Sequence, residues 1–99
     1  MRMMLKVSMP TDASNAAVKD GSLGKSIQDA MERLKPEAAY FFPEGGKRTA
    51  LYVFDLANEA QIPVVAEPFF HAVNADITLI PVMNAEDVAK GIEAAAKSL

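Results

Sequence analysis

Ala38-Ala39-Tyr40-Phe41-Phe42-Pro43-Glu44-Gly45-Gly46-Lys47-Arg48-Thr49-Ala50-Leu51-Tyr52-Val53-Phe54-Asp55-Leu56 is the stretch that decides the fold. Two runs rich in aromatic and aliphatic residues flank a Gly-Gly pair, the pattern of a β-hairpin. The reading assigns strands to residues 38–42 and 49–56, with Glu44, Lys47 and Arg48 as solvated charges at the turn. Both strands carry large apolar side chains at both parities. Tyr52, Phe54 and Leu56 share one face of the second run, with Leu51 and Val53 on the other. In the first run Tyr40 and Phe42 stand against Ala39 and Phe41. A sheet with one wet face should instead alternate apolar with polar.

Working outward, residues 3–10 form a strand in which Leu5, Val7 and Met9 alternate with Lys6 and Ser8, and Pro10 ends it. The polar run from Thr11 to Asn15 suits a helix cap or a turn. A first helical piece is predicted over residues 15–19, interrupted by Asp20-Gly21-Ser22. From Leu23 the spacing of Leu23, Ile27, Ala30, Met31 and Leu34 predicts an amphipathic helix that Pro36 stops. After the hairpin, residues 63–73 predict a short or kinked helix, with Pro63 in its first turn and Pro68 inside it. Its expected buried stripe is Ile62, Val65, Phe69 and Ala72. Residues 76–83 predict a last strand, placed at a sheet edge by Pro81. Asn84 caps a final helix, with Asp87 at capping-box spacing and Val88, Ile92 and Ala95 on its inner face. The order is β-α-β-β-α-β-α. It predicts an α+β, ferredoxin-like βαββαβ domain over residues 1–99, with a four-stranded antiparallel sheet and an extra C-terminal helix.

The bulk numbers agree with one folded domain. Hydrophobic residues are 51% of the 99 and charged residues 23%. A net charge of −3 and scattered Lys and Arg give nucleic acid or an anionic membrane little attraction. There is no cysteine, hence no disulfide and no thiolate metal site. The apolar start is too short for a signal peptide and Lys6 interrupts it. No apolar stretch approaches the ~20 residues of a membrane span. The expectation is a cytoplasmic protein.

With helices on one side of the sheet, large apolar side chains remain on the other. Hiding a few hundred Å² of such surface is worth several kcal/mol at about 25 cal/mol per Å². The expected partner is a second copy of the chain, in a homodimer or a dimer of dimers. The alternative is that the last helix folds across the open face, although its mostly alanine face is thin for that task.

The element order, with Ile62-Pro63-Val64-Val65-Ala66-Glu67-Pro68-Phe69-Phe70 and the strand Asp76-Ile77-Thr78-Leu79-Ile80-Pro81-Val82-Met83, resembles the dimeric α+β barrel superfamily. That group includes muconolactone isomerases, antibiotic-biosynthesis monooxygenase-like proteins and haem-degrading monooxygenases. The segments 15–23 and 34–41 resemble small bacterial proteins of that group with no assigned reaction. The resemblance implies sheet-to-sheet dimers and, for an enzyme, cofactor-independent isomerase or monooxygenase chemistry. Fold alone does not fix function.

Few constellations carry chemistry. Gly21-Ser22-Leu23-Gly24-Lys25-Ser26 fails the phosphate-loop spacing, because Lys19 stands where the first glycine belongs. His71, the only histidine, follows Glu67 by one helical turn. That spacing lets a carboxylate orient an imidazole for proton transfer, making His71 and Glu67 the catalytic candidates. The plainer reading is a half-exposed pair at a helix end. Some haem-binding relatives in the resembled group place an axial histidine near this helix, but their accompanying aromatic and amide pattern is not recognisable here. No metal or cofactor is predicted. Lys6, on a central strand, is the first ligand-binding candidate, with Asp55 as a possible partner. The plainer reading lets its charge snorkel to water. Tyr40 and Tyr52, with Phe42 and Phe54, are the others, lining a pocket for a small hydrophobic or aromatic molecule between sheet and helices. Plain core packing competes with that reading. A structural module without a small ligand is the alternative from another class.

Overall fold

A computed structural model describes all 99 residues. The elements run β1 (Arg2–Met9), α1 (Thr11–Asp20), α2 (Ser22–Leu34), β2 (Ala38–Glu44), β3 (Lys47–Asp55), a single 3-10 turn (Glu59–Gln61), α3 (Ile62–Val73), β4 (Asp76–Pro81) and α4 (Ala85–Ala96). The sheet order is β2-β3-β1-β4, antiparallel throughout. This is the expected ferredoxin-like arrangement with an added C-terminal helix.

Parity sorts the side chains. Met3, Leu5, Val7 and Met9 of β1 are buried toward the helices, beside Ala50, Tyr52 and Phe54 of β3. Antiparallel pairing of Leu5 with Tyr52 and of Val7 with Ala50 puts these rows in line. The helices close over them with Ala17, Ala30, Leu34, Val65, Phe69 and Val73. On the other face stand Met4, Lys6, Leu51, Val53, Tyr40, Thr78 and Ile80. Both apolar faces read from the sequence are therefore real, and one of them is uncovered.

The hairpin closes on Gly45 and Gly46, with φ of +60° and +76°. Two successive residues at positive φ are what a two-residue hairpin turn matching strand twist requires, and glycine adopts them without a Cβ clash. The strands extend past the expected bounds, so Pro43 lies inside β2 on the sheet's outer edge. β4 is the other edge and ends at Pro81, two residues earlier than expected.

The N-terminal helical region is longer than its sequence suggests. α1 starts directly after Pro10 and runs ten residues, and Gly21 at φ +82° is its only separation from α2. Asp20 accepts a hydrogen bond from the Ser22 backbone N–H at 2.8 Å, satisfying one free donor at the start of α2. Hydrogen bonding from Ser22, its side chain first and its backbone N–H second, holds the Asp20 carboxyl below its usual range.

α3 corrects one expectation. The helix has the expected range, starting one residue earlier, and runs through Pro68 to Val73, where Asn74 caps it in the left-handed conformation; what differs is the buried stripe. Its buried positions are Val65, Ala66, Phe69 and Val73, so Ile62 and Ala72 face out instead of in. A proline at this position cannot donate to the carbonyl four residues earlier, which is Val64 O. Arg33 of α2 donates to that oxygen instead, Nη1 to O at 3.2 Å. The same guanidinium pairs with Asp29 at 3.1 Å and lies 5.6 Å from the centre of the Phe69 ring. A neighbouring helix thus supplies the bond that proline removes.

α4 has the expected capping box: Asn84 Oδ1 accepts from Asp87 N at 2.8 Å, and Asp87 Oδ2 accepts from Asn84 N at 3.1 Å. It does not fold across the open face. None of its residues is buried, and its one ion pair to the body joins Arg2 to Asp87 at 3.6 Å. The helix extends the molecule to 56 Å along its longest axis. The radius of gyration is 16.0 Å, against about 13 Å for a compact chain of this size.

The Arg33 bridge makes a measurable claim. Arg33→Met should cost about 1–2 kcal/mol in urea unfolding. In a Pro68→Ala background the loss should shrink, because the restored N–H satisfies Val64 O within the helix. Equal losses in both backgrounds would show that Arg33 acts only through Asp29 and Phe69.

Candidate functional site

The five candidate residues lie in three places. Lys6 and Tyr40 share one cross-strand row of the open face, with Leu51 between them. Tyr40 is 64% exposed there. Tyr52 is on the opposite face, 1% exposed, with Phe41 edge-on at 5.9 Å and Phe69 at 6.1 Å between ring centres. Register explains the separation: Tyr52 pairs with Ala39 and not with Tyr40, and adjacent positions on a strand point to opposite faces. Glu67 and His71 form their pair, Oε2 to Nε2 at 3.3 Å, but His71 is 82% exposed on the outer side of α3. The structure brings no two of these three groups together.

Lys6 does not pair with Asp55. Its Nζ donates to Glu44 Oε1 at 2.8 Å, while Asp55 takes the N-terminal ammonium at 2.6 Å. The lysine reaches diagonally over β3 to the end of β2, and Thr49 beneath that diagonal is buried. The ammonium therefore reaches the sheet end, as the plainer reading has it, and finds Glu44 there as its partner.

Three main clefts stand out on the surface. One, of about 200 Å³, lies between the end of β3 and the start of α3, against Arg33, Phe54, Leu56 and Val64. Arg33 is already engaged there by Asp29 and Val64. A second, of about 390 Å³, is polar, and its Arg2 is held by Glu37 and Asp87. Glu37's hydrogen bond raises the Arg2 guanidinium above its ordinary value. These clefts are lined by charges already paired with one another. No cluster of His, Cys, Asp or Glu has metal-holding geometry, and no helix is long and apolar enough to cross a membrane.

The third cleft differs. It encloses about 330 Å³ between α2 and the β2–β3 hairpin and is lined by Met9, Ile27, Phe41, Phe42, Pro43, Arg48 and Thr49. Arg48 shares parity with Ala50, Tyr52 and Phe54, so it points to the helix side and is not a solvated turn charge. Its Nη1 donates to Ser14 Oγ at 2.7 Å and Asn15 Oδ1 at 2.8 Å, both on α1. Ser14 is fully buried, and its hydroxyl donates to Thr11 O at 3.3 Å. Sequence reading missed Arg48. The available signal was parity, since counting back by twos from Phe54 and Tyr52 lands on it.

Tyr52 gives the site region a titratable marker. Burial raises its phenol above the ordinary 10.0, and the nearby positive charge of Arg33 opposes that rise. A phenol with a raised folded value stays neutral while the unfolded chain's phenol ionises. Its contribution to stability is intact below 10.0 and is lost as pH climbs from there through the raised value. Tyr52→Phe should follow wild-type stability up to about pH 9 and then decline less steeply toward about pH 11. Urea midpoints across that range measure it, and parallel curves would contradict the assignment.

A scan against protein-family models and a search of curated proteins each find no match for this chain.

Proposed function

We propose that the chain is a homo-oligomer that binds a small hydrophobic or aromatic molecule in the cleft between α2 and the β2–β3 hairpin. The observation that carries this reading is the cleft itself. Its walls are Met9, Ile27, Phe41, Phe42 and Pro43, and its volume of about 330 Å³ falls at the small end of ligand pockets, roughly 300–1,000 Å³. Tyr40, Tyr52 and Lys6 do not line it, so the ligand-binding role passes from them to these residues and Arg48. His71 and Glu67 do not line it either, so binding is favoured over isomerase or monooxygenase catalysis by that pair.

The oligomer rests on a second observation. Two apolar surfaces of one chain lack partners: the open sheet face with Met4, Tyr40, Leu51, Val53 and Ile80, and the stripe of Val88 and Ile92 on α4. The sheet face alone has a footprint of roughly 450 Å², from four strands ~4.8 Å apart and about seven residues of ~3.3 Å. A standard interface buries about 800 Å² on each partner. A second copy, facing sheet to sheet as in the dimeric α+β barrels, would add the outstretched α4 to that area. Lys6 and Glu44 enter such an interface already paired, which lowers the cost of covering them.

Indole and 1-naphthol are suitable probes for the cleft. In ¹H–¹⁵N NMR titrations their shifts should centre on Met9, Ile27, Phe41 and Thr49, and Ile27→Trp, which fills the space, should abolish them. Shifts scattered over the surface would sink the cleft. For the assembly, light scattering should give the mass of a dimer or tetramer, reduced toward the monomer by Ile92→Asp. Ile92 is 64% exposed in the single chain, so this change leaves the monomer fold intact. A monomeric wild type would remove the oligomer.

A further inference from the structure

Arg48 is the only charged group lining the apolar cleft. It takes part in none of the chain's ion pairs, whereas the arginines that line the other two clefts have their carboxylates: Arg33 has Asp29 and Arg2 has Glu37. What holds Arg48 is neutral. Both of its hydrogen bonds leave from Nη1, to Ser14 Oγ and Asn15 Oδ1. Those two bonds fix the plane of the guanidinium and use one of its corners. The Nε–Nη2 edge donates to no protein atom, and that edge is the fork that matches two carboxylate oxygens.

We propose that the cleft selects a small monocarboxylate with an apolar, single-ring or branched body. The carboxylate takes the Nε–Nη2 edge of Arg48, and the body lies against Met9, Ile27, Phe41 and Pro43. This rests on the reading above that the cleft takes apolar molecules, and it adds the charged group those molecules carry. One negative charge is the match. The lining holds a single cation, so a phosphate dianion would keep half its charge uncompensated in an apolar surrounding. Size agrees as well: an apolar cavity of about 150 Å³ accommodates benzene, and the cleft offers about 330 Å³. Ser14 and Asn15 act as positioning residues, because they orient the guanidinium from α1 without reaching the ligand.

The test compares three probes by ¹H–¹⁵N NMR titration of the full chain: phenylacetate, its neutral amide phenylacetamide, and inorganic phosphate. Phenylacetate should bind at the cleft roughly tenfold or more tighter than phenylacetamide, and phosphate should bind more weakly than phenylacetate. Arg48→Lys, which keeps the charge and loses the fork, should erase most of the preference for the acid. Arg48→Met should weaken the acid by a larger factor than the amide, so that the two affinities converge. Equal binding of acid and amide by the wild type would overturn the carboxylate assignment while the cleft reading stands. Phosphate binding as tightly as phenylacetate would overturn the single-charge match. Failure of both organic probes to shift any cleft residue would overturn the cleft reading itself, and the carboxylate with it. The wild-type comparison needs no variant, so it stands even if Arg48→Met fails to fold.

Discussion

β1 is paired on both edges, with β3 on one side and β4 on the other, and its register sets the side of nearly every other residue. Leu5 opposite Tyr52 and Leu79 puts three large side chains into one buried row. Lys6 opposite Leu51 and Thr78 starts the adjacent row on the open face. A slip of one residue would bury Lys6 and expose Leu5, a cost of several kcal/mol from burying a charge and exposing a leucine. The same row structure places Arg48 on the helix side, because β3 inherits its parity from β1. The cleft is thus a consequence of strand register and not a separate invention of the hairpin loop.

Both unsatisfied features of this chain come from that division. On the helix side, packing leaves a small cleft at the start of α3 and the larger one between α2 and the hairpin. On the other side, nothing from the chain itself covers the sheet. The two regions meet at the hairpin: Arg48 lines the cleft, and Glu44, four residues before it, ties Lys6 on the open face. Residues at one end of the hairpin therefore border both the candidate ligand site and the candidate assembly surface.

Much of this was legible in the sequence. Element order, the Gly45-Gly46 turn, the edge position of Pro81 and the Asn84–Asp87 capping box all follow from local rules, and the structure has each of them. So does the presence of apolar residues on both sheet faces. What local rules could not supply was pairing between distant strands. Tyr40 and Tyr52 both read as pocket tyrosines until register places Ala39 opposite Tyr52. Lys6 finds Glu44 across a diagonal that no sequence spacing encodes. Pro68 looks like a helix breaker because its compensation comes from Arg33, thirty-five positions earlier. Glu67 and His71, in contrast, did form the local pair expected of them, and local geometry was all that the sequence had to offer about them.

The Arg33–Val64 bond bears on what keeps α3 helical. A free α3 segment has a carbonyl that its own backbone cannot satisfy, and short helices are marginal in water even without such a gap. In the folded chain α2 presents the guanidinium that fills this gap. Part of what completes the α3 hydrogen-bond ladder is therefore a tertiary contact, so the helix owes some of its stability to its neighbour.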